Sequence, residues 1–166
     1  MGNQLEISQV TRHRLERVQF VPRPLDEVFD FFSRAENLER ITPPELGFRI
    51  HARRPIEMGR GTLIDYTVRL SRVPLRWRTL IEIWEPGKRF VDVQLRGPYR
   101  HWRHEHVFRA VPGGTEVYDR VDYELPFGAL GTAAHAVWVR RQLERIFDYR
   151  ASAIDQLFSA ESGRAA

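Results

Sequence analysis

Residues 97–125 read GPYRHWRHEHVFRAVPGGTEVYDRVDYEL. Two runs alternate apolar with polar residues on either side of Pro112-Gly113-Gly114, a turn short enough to require an antiparallel hairpin. Period two then sorts each run into faces. In the first run Trp102 and Phe108 share a face with His104 and His106; in the second Val117, Val121, Tyr123 and Leu125 share one with Asp119.

Upstream, the same period continues back to Phe48. Strand-like runs are separated by Glu57 to Gly61, Ser71 to Pro74, Glu85 to Lys88 and Gly97-Pro98, connections that make neighbouring strands antiparallel. Ile64, Tyr66, Val68 and Leu70 form one face, and Trp77, Thr79, Ile81 and Ile83 another. The strand from Arg89 to Arg96 is undecided, since either Phe90, Asp92 and Gln94 or Val91, Val93 and Leu95 can point inward. Arg14 to Pro22 reads as a first strand, with Val18 and Phe20 alternating against charged neighbours. Pro24 opens a short helix with Leu25, Val28, Phe29 and Phe32 at helical spacing, and a second short helix from Ala35 to Ile41 stops at Pro43-Pro44.

Downstream, Gly131 to Phe158 carries a helical pattern without internal proline or glycine, and its apolar stripe includes Val139, Leu143, Ile146, Phe147, Ile154 and Phe158. The expectation is an α+β fold: a seven-stranded curved antiparallel sheet wrapped around one long C-terminal helix, with two short helices between strands 1 and 2. The domain spans residues 14–160, between an N-terminal tail (1–13) and a frayed C-terminal tail (161–166). One helix about 10 Å across cannot fill the concave face of such a sheet, so a cavity is expected between them.

Composition narrows the chemistry. With no cysteine, disulfides, thiol nucleophiles and thiolate metal sites are excluded. The single lysine, Lys88, falls in the Pro86-Gly87-Lys88 turn, where no desolvated Schiff-base amine is expected. Twenty-five arginines are interspersed with 22 acidic residues and leave a net charge of +4, which reads as a mixed solvated surface. No apolar segment approaches the roughly 20 residues of a membrane span, and no signal peptide is legible, so the expected location is the cytoplasm.

The order strand, two short helices, meander, long helix resembles the START-like superfamily (SRPBCC or helix-grip proteins), and within it the polyketide cyclase/dehydrase-like members of bacteria. The resemblance covers Arg14 to Phe158. It rests on Pro24-x-x-x-Val28-Phe29-x-Phe31, Pro86-Gly87-Lys88-Arg89-Phe90, Gly97-Pro98-Tyr99 with Trp102-x-His104-Glu105-His106-x-Phe108, and Leu125-Pro126-Phe127-Gly128. It implies a ligand pocket and places Phe90 in it, which favours Phe90, Asp92 and Gln94 as the inward set. It does not fix an activity, because the superfamily includes carriers, receptors, cyclases and co-chaperones.

His104, His106 and Asp119 are the candidate catalytic residues: a histidine oriented by a carboxylate on the neighbouring strand can move a proton near neutral pH. The plainer alternative is a brace in which the three satisfy one another. Candidate ligand-binding residues are Tyr66, Trp77, Phe90, Asp92, Gln94, Trp102, Phe108, Tyr123, Arg140 and Phe147. On the long helix Arg140 and Arg150 both fall within the apolar stripe. His104, His106 and Asp119 could also hold zinc, but isolated His-x-His pairs are more often not ligands, and neither metal nor other cofactor is expected. Binding of a small apolar or aromatic molecule (lipid-, polyketide- or quinone-like) is the leading expectation. A cyclase or dehydratase using the His-Asp pair and a protein-interaction module are the alternatives, and a homodimer is allowed for. Arg69, Arg72, Arg76 and Arg78 flank one hairpin without an aromatic platform, so no specific nucleic-acid binding is expected.

Overall fold

The computed structural model describes residues 12–51, 55–70, 73–126, 133 and 138–162. The elements are β1 (His13–Val21), α1 (Leu25–Phe32), two 3-10 turns (Ala35–Glu39 and Pro44–Leu46), β2 (Arg49–Ile50), β3 (Leu63–Leu70), β4 (Val73–Glu85), β5 (Arg89–Arg96), β6 (His101–Val111), β7 (Gly114–Glu124) and a 23-residue helix α2 (Arg140–Ser162). The seven strands form one antiparallel sheet in the order β1-β7-β6-β5-β4-β3-β2. The chain therefore runs as a meander from β2 to β7 and closes by pairing β7 with β1. The expected α+β architecture is present, with the second short helix realised as 3-10 turns between Arg34 and Gly47. Part of the expected helix start and of the Leu125 to Gly128 motif, and Ser71 and Arg72 of one hairpin, lie outside the described residues.

Short connections set the register. At the β6–β7 turn Gly113 adopts φ +84, a left-handed conformation that costs glycine nothing. A Cβ on the next residue, Gly114, would come within 2.2 Å of the Val21 carbonyl oxygen, so β1 can lie against this turn only because the side chain is missing.

The concave face is covered by α1 and α2. α1 buries Val28, Phe29 and Phe32, and Asp26 and Glu27 in its first turn sit favourably at the positive end of the helix dipole. Phe29 and Phe32 pack edge-on against Phe108 at 5.2 and 5.3 Å between ring centres. Further along α2, Leu143 and Phe147 pack with Leu15, Val121 and Tyr123.

One irregularity changes which side chains face inward. In β4, Ile81 pairs with Asp92 but Ile83 pairs with Val91, so Glu82 is an extra residue and the alternation reverses beyond it. Trp84, not the expected Ile83, therefore turns inward against Phe29 and Phe90. In β1 the inner face carries Leu15 and Val21, both buried, while Val18 and Phe20 are 63% and 50% exposed.

On the convex face the arginines are paired across strands. Glu85 on β4 meets Arg89 on β5 at 2.8 Å, Arg89 meets Glu105 on β6 at 3.0 Å, and Glu105 meets Arg120 on β7 at 3.1 Å. Arg120 continues to Asp122 at 3.3 Å, and Asp122 to Arg14 on β1 at 2.7 Å. The carboxylate of Glu105 is buried within this row, beneath which Val91 is fully covered. No described helix is long and apolar enough to cross a membrane.

Candidate functional site

β5, β6 and β7 bring four polar side chains together on the concave face. His104 and His106 alternate on β6; Asp119 stands opposite His106 on β7, and Asp92 opposite His104 on β5. His104 Nε2 lies 2.9 Å from Asp119 Oδ1. Since a carboxylate only accepts, this nitrogen carries the proton and donates it. His106 Nε2 is 3.2 Å from Asp92 Oδ2 and donates to it. Its Nδ1 is 2.7 Å from Asp119 Oδ1 but out of line, so that contact is charge attraction and not a hydrogen bond. Nδ1 of His104 is left with Asp92 Oδ2 at 3.6 Å, beyond hydrogen-bonding distance. The two imidazoles stand 3.8 Å apart.

These contacts divide the protons unequally. Burial, then the neighbouring His106, hold His104 below its usual pKa, only partly opposed by the Asp119 hydrogen bond. Burial acts the same way on His106, but the Asp119 and Asp92 carboxylates outweigh it and lift His106 above the usual imidazole range. Asp119 and Asp92 are themselves held below the ordinary carboxylate range, because the histidines outweigh the cost of burial. His106 therefore keeps its second proton to a higher pH than His104 does, and both carboxylates are ionised at neutral pH.

Beside this wall lies a cavity of about 160 Å³ between α2, the sheet and the segment linking β1 to β3. Of the residues expected from sequence to bind ligand, Tyr66, Trp77, Phe90, Asp92, Trp102 and Phe147 line it, as do His104 and His106. Tyr66 stacks on Trp77 and its hydroxyl reaches Thr79 Oγ1 at 3.2 Å; burial keeps this phenol far above its usual pKa, so it stays protonated.

The other expected residues lie elsewhere, each for a visible reason. Gln94 spends its amide on the backbone of Tyr99, bracing the β5–β6 turn. Phe108 is sealed against α1, and Tyr123 packs beneath Tyr99 and Leu143. Arg140 is largely exposed and pairs with Glu144 at 3.0 Å, one turn along its own helix. Asp119 stands behind the histidines and does not reach the cavity.

Several lining residues stood outside the ligand-binding set read from the sequence. Leu38 and Phe48 belong to a segment of 3-10 turns and loop, where no period marks a face, and Phe31 stands near the end of α1, off the stripe of Leu25, Val28, Phe29 and Phe32 that helical spacing picks out. Arg150, visible as an anomaly in the apolar stripe, lines the cavity with its guanidinium 5.0 Å over the Phe147 ring, and its Nε is buried without a hydrogen-bond partner.

Comparison with known proteins agrees with this geometry. Residues 21–147 match the family described as polyketide cyclase / dehydrase and lipid transport. No curated protein matches the chain. Among solved structures, the Zhui aromatase/cyclase from a Streptomyces species superposes with a TM-score of 0.71 at 16% identity, over 90% of this chain and 94% of that one. A Thermus thermophilus protein gives 0.65 at 21% identity, over 92% and 99% of the two chains. A START superfamily protein from Mycobacterium smegmatis gives 0.65 at 14% identity, over 87% and 99%. At such identities the likeness is one of fold.

Proposed function

The chain belongs to the polyketide cyclase / dehydrase and lipid transport family, and from that footing we propose that it binds a small aromatic or apolar molecule bearing one acidic group. The observation that carries the proposal is the aromatic-lined cavity closed on one side by polar residues. Its volume of about 160 Å³ is near that of an engineered apolar cavity of roughly 150 Å³ that takes up benzene. It is smaller than the roughly 300–1,000 Å³ of sites for larger ligands. A single ring therefore fits the cavity as it stands, and a fused multi-ring molecule requires α2 or the 3-10 segment to give way. Arg150 supplies the preference for an acidic group: its unpaired Nε and planar guanidinium suit a carboxylate or phenolate.

Native mass spectrometry of freshly purified protein, followed by titration with benzoate-type and matched neutral rings, tests this directly. Trp77 and Trp102 line the cavity, so tryptophan fluorescence reports occupancy. Acidic rings are expected to bind more tightly than neutral ones, and Arg150→Met to abolish the difference. Failure of every single-ring compound to bind refutes the proposal.

A second reading, proton transfer on the bound molecule, is favoured by one observation. The Nδ1 lone pair of His104 has no hydrogen-bond donor among the described residues, and the ring lines the cavity. Equal turnover by the parent and His104→Ala, once a substrate is known, would discard it.

A further inference from the structure

The geometry points to a mononuclear site for a divalent transition metal, formed by His104 Nδ1, His106 Nε2 and Asp92 Oδ2, with Asp119 as the outer carboxylate that orients both imidazoles. One donor atom from each of Asp92, His104 and His106 lies within 4.8 Å of the others, and no other such trio occurs among the described residues. From sequence the third ligand was taken to be Asp119, a set better explained as a brace. The structure changes the set. Asp119 Oδ1 contacts the rear nitrogen of both rings, at 2.9 Å from His104 Nε2 and 2.7 Å from His106 Nδ1. The front nitrogens face Asp92 Oδ2 at 3.6 and 3.2 Å.

Three features separate this arrangement from a brace. Metal-nitrogen and metal-oxygen bonds of about 2.0–2.1 Å place tetrahedral ligand atoms roughly 3.3 Å apart, and the two separations to Asp92 fall on either side of that value. A histidine that ligates a metal almost always gives its other ring N–H to a carboxylate, backbone carbonyl or water, and Asp119 accepts that of His104 while its charge lies 2.7 Å behind His106. Two histidines and one carboxylate on one side of an ion leave its remaining positions free, and here all three residues line the cavity, so a free position opens toward a bound molecule. This inference deepens the binding proposal only in that last respect. It also competes with the proton-transfer reading, because His104 Nδ1 cannot be both free base and ligand.

The test uses the full chain, treated with chelator and titrated with Co²⁺ alone and with Zn²⁺ alone. Co²⁺ is expected to bind at about one ion per chain and to develop visible absorption of a low-coordinate nitrogen and oxygen site, displaceable by Zn²⁺. Asp92→Ala and His106→Ala are expected to weaken binding by at least about a hundredfold, and Asp119→Asn by about 10- to 100-fold through loss of orientation. His51→Ala, an exposed imidazole bonded to Thr67, serves as the control and is expected to change nothing. In case the cluster variants do not fold, NMR of the unaltered chain provides a second measure: Co²⁺ is expected to broaden the His104 and His106 ring signals first. Absence of stoichiometric binding, unaltered binding in folded His106→Ala, or broadening that begins at His51 or His101 overturns the inference. Because no organic ligand is involved, that failure leaves the binding proposal standing.

Discussion

Replacing Asp119 with asparagine in metal-free protein probes the wall of the cavity most directly. Asparagine keeps the shape of the side chain and an oxygen that can still accept from His104 Nε2, but it removes the charge. The bond to His104 at 2.9 Å falls from a charge-assisted one, worth roughly 1.5–3 kcal/mol, to a neutral one of roughly 0.5–1.5 kcal/mol. His106 loses the nearer of its two carboxylates, and the attraction across 2.7 Å goes with it. Relief from burying the Asp119 charge returns part of this. The net loss at pH 6 is about 2 kcal/mol, or roughly 4–8 °C in Tm for a chain of this size.

The pH dependence carries the decisive sign. The folded pKa of His106 is raised above its unfolded value, so the folded state holds the extra proton in between. The stability it contributes is complete below about pH 6.5 and disappears as the pH rises through the folded pKa. Asp119→Asn removes the main cause of that elevation. The gap between parent and variant, measured by urea denaturation at pH 6 and pH 9, is therefore expected to be larger at pH 6. NMR titration is expected to show a lower His106 pKa in the variant. Equal gaps at both pH values, or an unshifted His106, would refute the assignment of His106 as the histidine of the pair that keeps its second proton to the higher pH.

Other outcomes follow from the fold. Gly114→Ala drives a Cβ into the Val21 carbonyl at 2.2 Å and is expected to cost about 2–3 kcal/mol by thermal unfolding, against a much smaller cost for Gly59→Ala, where a Cβ meets nothing within 4 Å. Phe108→Ala is expected to cost about 3–5 kcal/mol, because three aromatic rings lean on it, yet to leave the cavity's ligand affinity little changed. Glu105→Gln leaves Arg89, Arg103 and Arg120 without their shared anion and is expected to destabilise by about 2 kcal/mol, less so in 1 M salt, where screening softens the repulsion among them.

The β6–β7 hairpin was the most legible part of the chain. Both of its runs alternate cleanly, and the turn between them leaves no freedom of register, so His104, His106 and Asp119 could be placed on one face before any coordinates. β5 was ambiguous because both of its sets are covered: Phe90 and Asp92 by the cavity side, Val91 by the charged convex row. β1 carries apolar residues on both faces, Leu15 and Val21 on one and Val18 and Phe20 on the other. As an edge strand it leaves the second pair exposed, and nothing in the local pattern distinguishes the two. The bulge at Glu82 is a tertiary accommodation between β4 and β5 that leaves the alternation of the sequence itself intact. Gln94, Phe108, Tyr123 and Arg140 had the right chemistry for a cavity and were claimed by nearer partners, a competition that periodicity does not register.

The convex row of ion pairs has a bearing on how the sheet chooses its alignment. A slip of one residue between strands is forbidden by hydrophobicity, since it exchanges inside for outside. A slip of two keeps every apolar side chain on its proper face, and hydrophobicity alone is blind to it. Here Arg103 stands opposite Asp122 and Glu105 opposite Arg120, while on the other side of β7 Arg14 stands opposite Asp122 and Glu16 opposite Arg120. A two-residue slip of β6 on β7 would set Arg103 against Arg120 in one direction and Glu105 against Asp122 in the other. β1 meets the same conflict, as Arg14 against Arg120 or Glu16 against Asp122. Each clash is worth only a fraction of a kcal/mol, but the pattern acts as a two-sided vernier that reads correctly at one setting across three strands.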